Sequence, residues 1–171
     1  MGKLFYGTMT GNTTSVAEAI QASLADVVDE ARCIDKAKAD DLRACDFLIL
    51  GGSTWGDGEL TDDWADFLPQ MDNIDFSGKT VALFGLGDQV GYTYNFVSAM
   101  KTLYDKVIAR GARVIAARVP TAGFDFAHSE SVVDDHFIGL VIDEANEPDL
   151  TAQRIAAWSA MVRQELPVGV S

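Results

Sequence analysis

The chain has 171 residues, 48% of them apolar, and a formal net charge of −13. This suits one globular domain spanning 1–171 rather than a disordered chain. The charge argues against nucleic acid, whose phosphates it would repel, and no apolar run approaches the ~18 residues that span a bilayer. The start, Met1-Gly2-Lys3-Leu4-Phe5-Tyr6, has neither a signal-peptide nor a lipidation pattern, so the expected compartment is the cytoplasm.

Short apolar runs and helix-period segments alternate along the chain. Lys3 to Tyr6 reads as a first strand ending at Gly7. Thr13 to Leu24 reads as a helix, with Val16, Ala19, Ile20 and Leu24 at helical spacing. A weak strand over Ala31–Ile34 and a short helix over Ala39–Ala44 follow. Phe47 to Leu50 is a buried strand closed by Gly51-Gly52, and Asp63 to Met71 a helix that Pro69 is expected to end early. Thr80 to Phe84 is a further buried strand closed by Gly85. Phe96 to Ala109 is a helix with Val97, Met100, Leu103, Tyr104, Val107 and Ile108 inward. Arg113 to Val119 is a fifth strand, and Thr151 to Glu165 a last helix, with Thr151 as N-cap and Ile155, Trp158 and Val162 inward. Apolar strands flanked by helices require an α/β fold with a parallel sheet covered on both faces. Such sheets bind ligands outside the carboxyl ends of their strands, where the strand order reverses.

Three loops at that edge depart from ordinary connector composition. Gly7-Thr8-Met9-Thr10-Gly11-Asn12-Thr13-Thr14 leaves a strand and opens a helix, so unpaired N–H groups and the helix dipole favour an anion there. The hydroxyls of Thr8, Thr10 and Thr13 add donors. The loop has no Lys or Arg and no GxxxxGK[ST], so it reads as a site that binds a phosphate without transferring it. Gly52 to Leu60 and Gly85 to Phe96 each carry an aromatic, Trp55 and Tyr92, in a glycine-rich turn. A planar cofactor between the two would bury a face of each ring. Cys33 and Cys45 form no CxxC pair and read as small buried hydrophobes in a reducing compartment. His128 and His136 have no ligand-spaced partner, so no metal site is expected.

Thr8-x-Thr10-Gly11-Asn12-Thr13, Thr54-Trp55-Gly56-Asp57-Gly58-Glu59-Leu60, and Gly85-Leu86-Gly87-Asp88-Gln89-Val90-Gly91-Tyr92 with Asn95-Phe96 together resemble the flavodoxin family, in order and over the whole chain. The resemblance is to the long-chain type. The segment 121–148 is similar to the extra loop that splits the last strand, and Phe137 to Glu144 to the resumed strand. It implies a three-layer fold with a five-stranded parallel sheet of order 2-1-3-4-5, and FMN as a non-covalent cofactor. Thr8, Met9, Thr10, Gly11, Asn12 and Thr13 would hold the FMN phosphate. Thr54 would touch the ribityl chain. Trp55 would cover the inner face of the isoalloxazine and Tyr92 the outer. Leu86, Gly87 and Asp88 would bond the pyrimidine edge through their backbone. Gly56, Asp57 and Gly58 would form a turn in which the Gly56 carbonyl accepts a bond once flavin N5 carries a proton. Asn95 and Asp143 would lie near the phosphate loop and ribityl chain. Two features depart from the family pattern. Ser53 stands where many members have Pro, implying a less rigid turn, and Ala122 and Phe124 stand where long-chain members have Asp and Tyr.

The implied function is that of a monomeric, low-potential carrier of one or two electrons rather than an enzyme. The acidic surroundings would disfavour the anionic, fully reduced flavin. The implied partners are a flavodoxin/ferredoxin–NADP reductase and a low-potential electron acceptor protein, met through the acidic rim. The competing reading is an FMN-dependent NAD(P)H quinone reductase-like enzyme. A phospho-acceptor receiver domain is disfavoured, because Gly51-Gly52-Ser53-Thr54 offers no Asp at the end of the third strand and Val119-Pro120-Thr121 no Lys after the fifth.

Overall fold

The structure is a computed structural model that describes residues 2–8 and 11–167. Its central sheet is built from β1 (Gly2–Gly7), β2 (Val28–Cys33), β3 (Phe47–Ser53) and β4 (Thr80–Leu86), joined by α1 (Asn12–Ser23), α2 (Ala39–Arg43) and α3 (Asp62–Met71). Beyond β4 come α4 (Ala99–Ala109), the short strands β5 (Arg113–Val114), β6 (Val119–Pro120), β7 (Val132–Val133), β8 (His136–Phe137) and β9 (Leu140–Ile142), and finally α5 (Thr151–Glu165). The strands run parallel in the order β2-β1-β3-β4-β5, with β9 also paired to β4.

Period-two alternation in the central strands divides the core into two layers. Phe5, Leu48, Leu50, Val81 and Leu83 point to one face, where they meet Leu42 of α2, Trp64, Phe67 and Met71 of α3, and Met100, Leu103 and Val107 of α4. Leu4, Ile49, Ala82 and Phe84 point to the other, against Val16, Ala17 and Ile20 of α1 and Ile155, Trp158 and Val162 of α5. This is the expected three-layer fold.

The fifth strand is split, as the resemblance implied, but at different boundaries. Arg113 and Val114 pair with Thr80 and Val81, and Leu140 to Ile142 pair with Phe84 to Leu86. The inserted segment therefore runs from 115 to 139, not 121 to 148. The strand expected to reach Val119 stops because Ala116, at φ 51, turns the chain out of the sheet. Val119 instead joins a small antiparallel sheet of order β6-β8-β7, closed by a turn with Asp134 and Asp135 at positive φ. Three further expectations are corrected. Pro69 lies inside α3 without ending it. Ile108 is 43% exposed rather than inward, one residue past the buried Val107. Thr151 is the first helical residue and not the cap, and its hydroxyl has no partner among the described residues.

Candidate functional site

The cleft at the carboxyl edge of the sheet follows from the topology. β1 lies between β2 and β3, so the connections leaving β1 and β3 run to opposite faces and open a crevice between them. That crevice is lined by Asn12, Thr13, Ser53, Thr54, Trp55, Leu86, Gly87, Asp88, Tyr92, Glu144 and Ala145. All three loops singled out in the sequence contribute, together with the loop after β9. Among the described residues no Lys or Arg lines it.

At one end lies the N-terminus of α1. Gly11 precedes the helix at φ 91, a left-handed conformation that side chains resist. Its N–H donates to Thr8 Oγ1 at 2.9 Å, and Thr14 N–H donates to Gly11 O at 3.2 Å. Helix geometry leaves the first-turn N–H groups of Asn12 and Thr13 without intrahelical acceptors, at the positions that line the cleft. Thr8 N–H is held by Asp63 Oδ2 at 3.0 Å. Met9 and Thr10 lie outside the described residues.

Trp55 opens a tight turn that closes on Glu59. Trp55 N–H donates to Glu59 O at 2.8 Å, and Glu59 N–H to Trp55 O at 2.7 Å. Gly56 and Gly58 turn this segment at φ 53 and 96, and Gly56 and Asp57 are exposed. Ser53 Oγ accepts the Trp55 indole N–H at 2.9 Å, which restrains the ring. Thr54 is buried, and its hydroxyl accepts the Ala99 N–H at 3.0 Å, so it caps α4 as well as lining the cleft. Asn95 is not among the lining residues. Its side chain packs behind Gly58, where a Cβ would meet Asn95 Oδ1 at 3.5 Å.

On the opposite wall, Tyr92 is 38% exposed, a large ring left partly open to the cleft. Its loop is tied down by Asp88, whose Oδ1 accepts the N–H of Val90 at 3.0 Å and of Gly91 at 2.8 Å, and the Asn146 amide at 2.7 Å. The Gly91 N–H first, then Asn146, hold the Asp88 carboxyl below the usual aspartate range. Asp143 does not face the cleft. It is fully buried, and its carboxylate accepts from Gln89 N and Nε2 at 3.2 and 2.8 Å and from Asn146 N at 3.0 Å. Its neighbours Glu144 and Ala145, not singled out in the sequence, line the cleft instead. A count of acidic residues by loop could have included Glu144; nothing in the pattern marks Ala145.

Cys33 and Cys45 are free thiols. Burial, with the Asp35 and Asp63 carboxyl groups nearby, pushes the Cys33 thiol up to about 12, so it stays protonated. Among the described residues no group of His, Cys, Asp and Glu is placed to hold a metal ion, and no helix is long and apolar enough to cross a membrane.

This geometry agrees with the relatives of the chain. The family model described as Flavodoxin matches residues 4–158. A flavodoxin of Picosynechococcus is 47% identical over 164 residues, covering 94% of both chains. Flavodoxin 1 of Escherichia coli is 44% identical, covering 95% of this chain and 93% of its own. The solved Fusobacterium nucleatum flavodoxin bound to flavin mononucleotide superposes with a TM-score of 0.89 at 30% identity, over 97% of this chain and 98% of that one. The crevice, the aromatic-bearing loops and the split fifth strand thus sit in a chain whose relatives are flavodoxins from end to end, and the chain belongs to the flavodoxin family.

Proposed function

We propose that the chain binds one FMN non-covalently in this cleft and carries one or two electrons at low potential between protein partners. The observation that carries the reading is the meeting of a cation-free helix N-terminus, Trp55 and Tyr92 in one crevice. A phosphorylated planar ring fits that set. The phosphate would take the first-turn N–H groups of α1 with Thr8, Met9, Thr10, Gly11, Asn12 and Thr13 around it. Trp55 and Tyr92 would lie against the two faces of the ring. The backbone of Leu86, Gly87 and Asp88 would meet its pyrimidine edge, and Thr54 the ribityl chain. FMN, when bound, supplies the redox chemistry.

The protein's own work is positioning and charge. The Trp55–Glu59 turn leaves the Gly56 peptide exposed, able to offer a carbonyl to a donor on the ring, with Asp57 and Gly58 completing the turn. Asn95 supports the turn from behind and Asp143 supports the Gln89 loop, so both would act without touching the cofactor. Asp88 and Glu144 place acidic side chains at the cleft, and these would disfavour added negative charge on the ring. Electron donors and acceptors of the reductase and low-potential classes are the partners this implies, in a cytoplasmic setting. Whole-length relatives named flavodoxin favour a carrier over a quinone reductase.

The purified chain is expected to be yellow when oxidised, or to become so on adding FMN with quenching of flavin fluorescence. It should show no steady-state oxidation of NAD(P)H on its own. A colourless chain that takes up no FMN overturns the reading.

A further inference from the structure

The loop after β1 is held from outside by a side chain that the flavin-binding reading leaves without a role. Asp63 sits in the first turn of α3, 55 residues from the Thr8 N–H that it accepts at 3.0 Å. Cys33 Sγ lies 3.5 Å from the same oxygen. The other oxygen accepts the Trp64 N–H at 2.8 Å and the Thr61 hydroxyl. Donors from the end of β2, the loop after β1 and the start of α3 thus converge on one half-buried carboxylate. Its base is rigid, because Thr61 and Trp64 are fully buried and the Trp64 indole N–H donates to Gly51 O at 2.9 Å. The strand end comes so close that a Cβ on Gly7 would collide with Thr61, Trp64 and the Asp63 carboxylate.

A carboxylate beside a phosphate cradle is electrostatically adverse. The hydrogen-bond chain supplies a compensating role. Asp63 fixes the Thr8 amide, and the Thr8 hydroxyl in turn accepts the N–H of Gly11, the residue that turns into α1. A carboxylate accepts more donors than any neutral side chain of its size.

We propose that Asp63 is a positioning residue of the phosphate cradle, fixing Thr8 and through it Gly11, so that the first turn of α1 is aimed before the phosphate arrives. This rests on the phosphate-loop reading above. Preorganisation of this kind shows as affinity for the group that uses the cradle and not for the rest of the ligand.

The test titrates the full chain, freed of flavin, with FMN and separately with riboflavin, which has the ring and ribityl chain but no phosphate. Asp63→Ala is expected to weaken FMN binding about tenfold or more, the scale of a lost hydrogen bond to a charged group, and to leave riboflavin binding nearly unchanged. Thr61→Val keeps the carboxylate but removes a donor that orients it, and should move the FMN-to-riboflavin ratio the same way by less. It also gives an answer should Asp63→Ala not fold. A ratio unchanged in whichever variants fold overturns the proposal, as does tighter FMN binding by Asp63→Ala. A wild-type ratio near one is a different failure: it removes the phosphate-loop reading and this proposal with it.

Discussion

Asp88 lines the cleft, yet its carboxylate is spent on the loop rather than turned to a ligand. Backbone N–H groups of Val90 and Gly91 and the Asn146 amide all donate to it. These donors favour the ionised form in the folded chain, so its carboxyl lies below the ordinary value of 3.8. A depressed folded value means stability that is present above the unfolded value and lost as pH falls through the folded one. Acidification below about pH 4 should therefore lower the urea midpoint. Asp88→Asn should lower the midpoint at neutral pH and flatten the acid limb without abolishing it. The remaining limb belongs to other depressed carboxyl groups: Asp26 is held low by Arg163, Glu30 by Arg32, Asp75 by the Ser77 N–H, and Glu147 by the amide of Gln89 and then Arg154. An acid limb of equal slope in wild type and variant would show that Asp88 makes its bonds equally well when protonated. At this scale the sequence told which loops matter better than which way each side chain points. Trp55 and Tyr92 were legible because large aromatics in glycine-rich turns have no core to enter. Asp143 was not, because whether a carboxylate faces a cleft or lies under Gln89 and Asn146 depends on partners 54 and 3 residues away.

Among the elements, the inserted segment is joined to the core layer of α3 and α4 by a cluster of aromatic rings. The rings of Phe96, Phe124 and Phe126 surround Phe137 with centroids 6.0, 5.4 and 5.4 Å from it, and Phe137 is fully buried. Arg154 lies over the Phe124 ring at 4.0 Å, tying the segment to α5. Phe124 thus serves in packing. Phe137→Ala should lower unfolding free energy by about 3–5 kcal/mol, the range for deleting a buried aromatic, as read from urea denaturation. A loss below about 1 kcal/mol would mean that the segment contributes little to the folded state. The central strands were legible because Leu48-Ile49-Leu50 and Val81-Ala82-Leu83 are apolar runs buried on both faces. The split strand was legible only as a resemblance. No local pattern announces that Ala116 takes a positive φ, and Val114, Ile115 and Val119 on either side of it hide the break. The start of α4 slipped for a similar reason: Phe96 and Val97 are buried at helical spacing, but Val97 has φ 47 and the helix begins where Thr54 caps Ala99.

For the whole molecule, what matters is where the charge of −13 is left unpaired. Lys3, Arg32, Arg43, Lys101, Lys106, Arg154 and Arg163 are each engaged with carboxylates. None of them lines the cleft, whereas Glu144 lines it and Asp57 and Glu59 lie in the exposed turn beside it. A basic partner would therefore be drawn toward the proposed cofactor edge. Its attraction should fade as the Debye length shrinks from about 30 Å at 0.01 M salt to about 10 Å at 0.1 M. Stopped-flow electron transfer to a basic haem protein should slow about tenfold or more over that range, within the span known for electrostatic steering. Neutralising the rim with Asp57→Asn, Glu59→Gln and Glu144→Gln should lower the low-salt rate and flatten the dependence. Glu165→Gln, at the C-terminal end of α5, should do neither. A different docking force is available, because Val90 and Tyr94 are each 72% exposed on the Tyr92 loop. Contact through those side chains would leave the rate nearly independent of salt, and that result would replace charge with apolar surface as what brings the partner to the cleft.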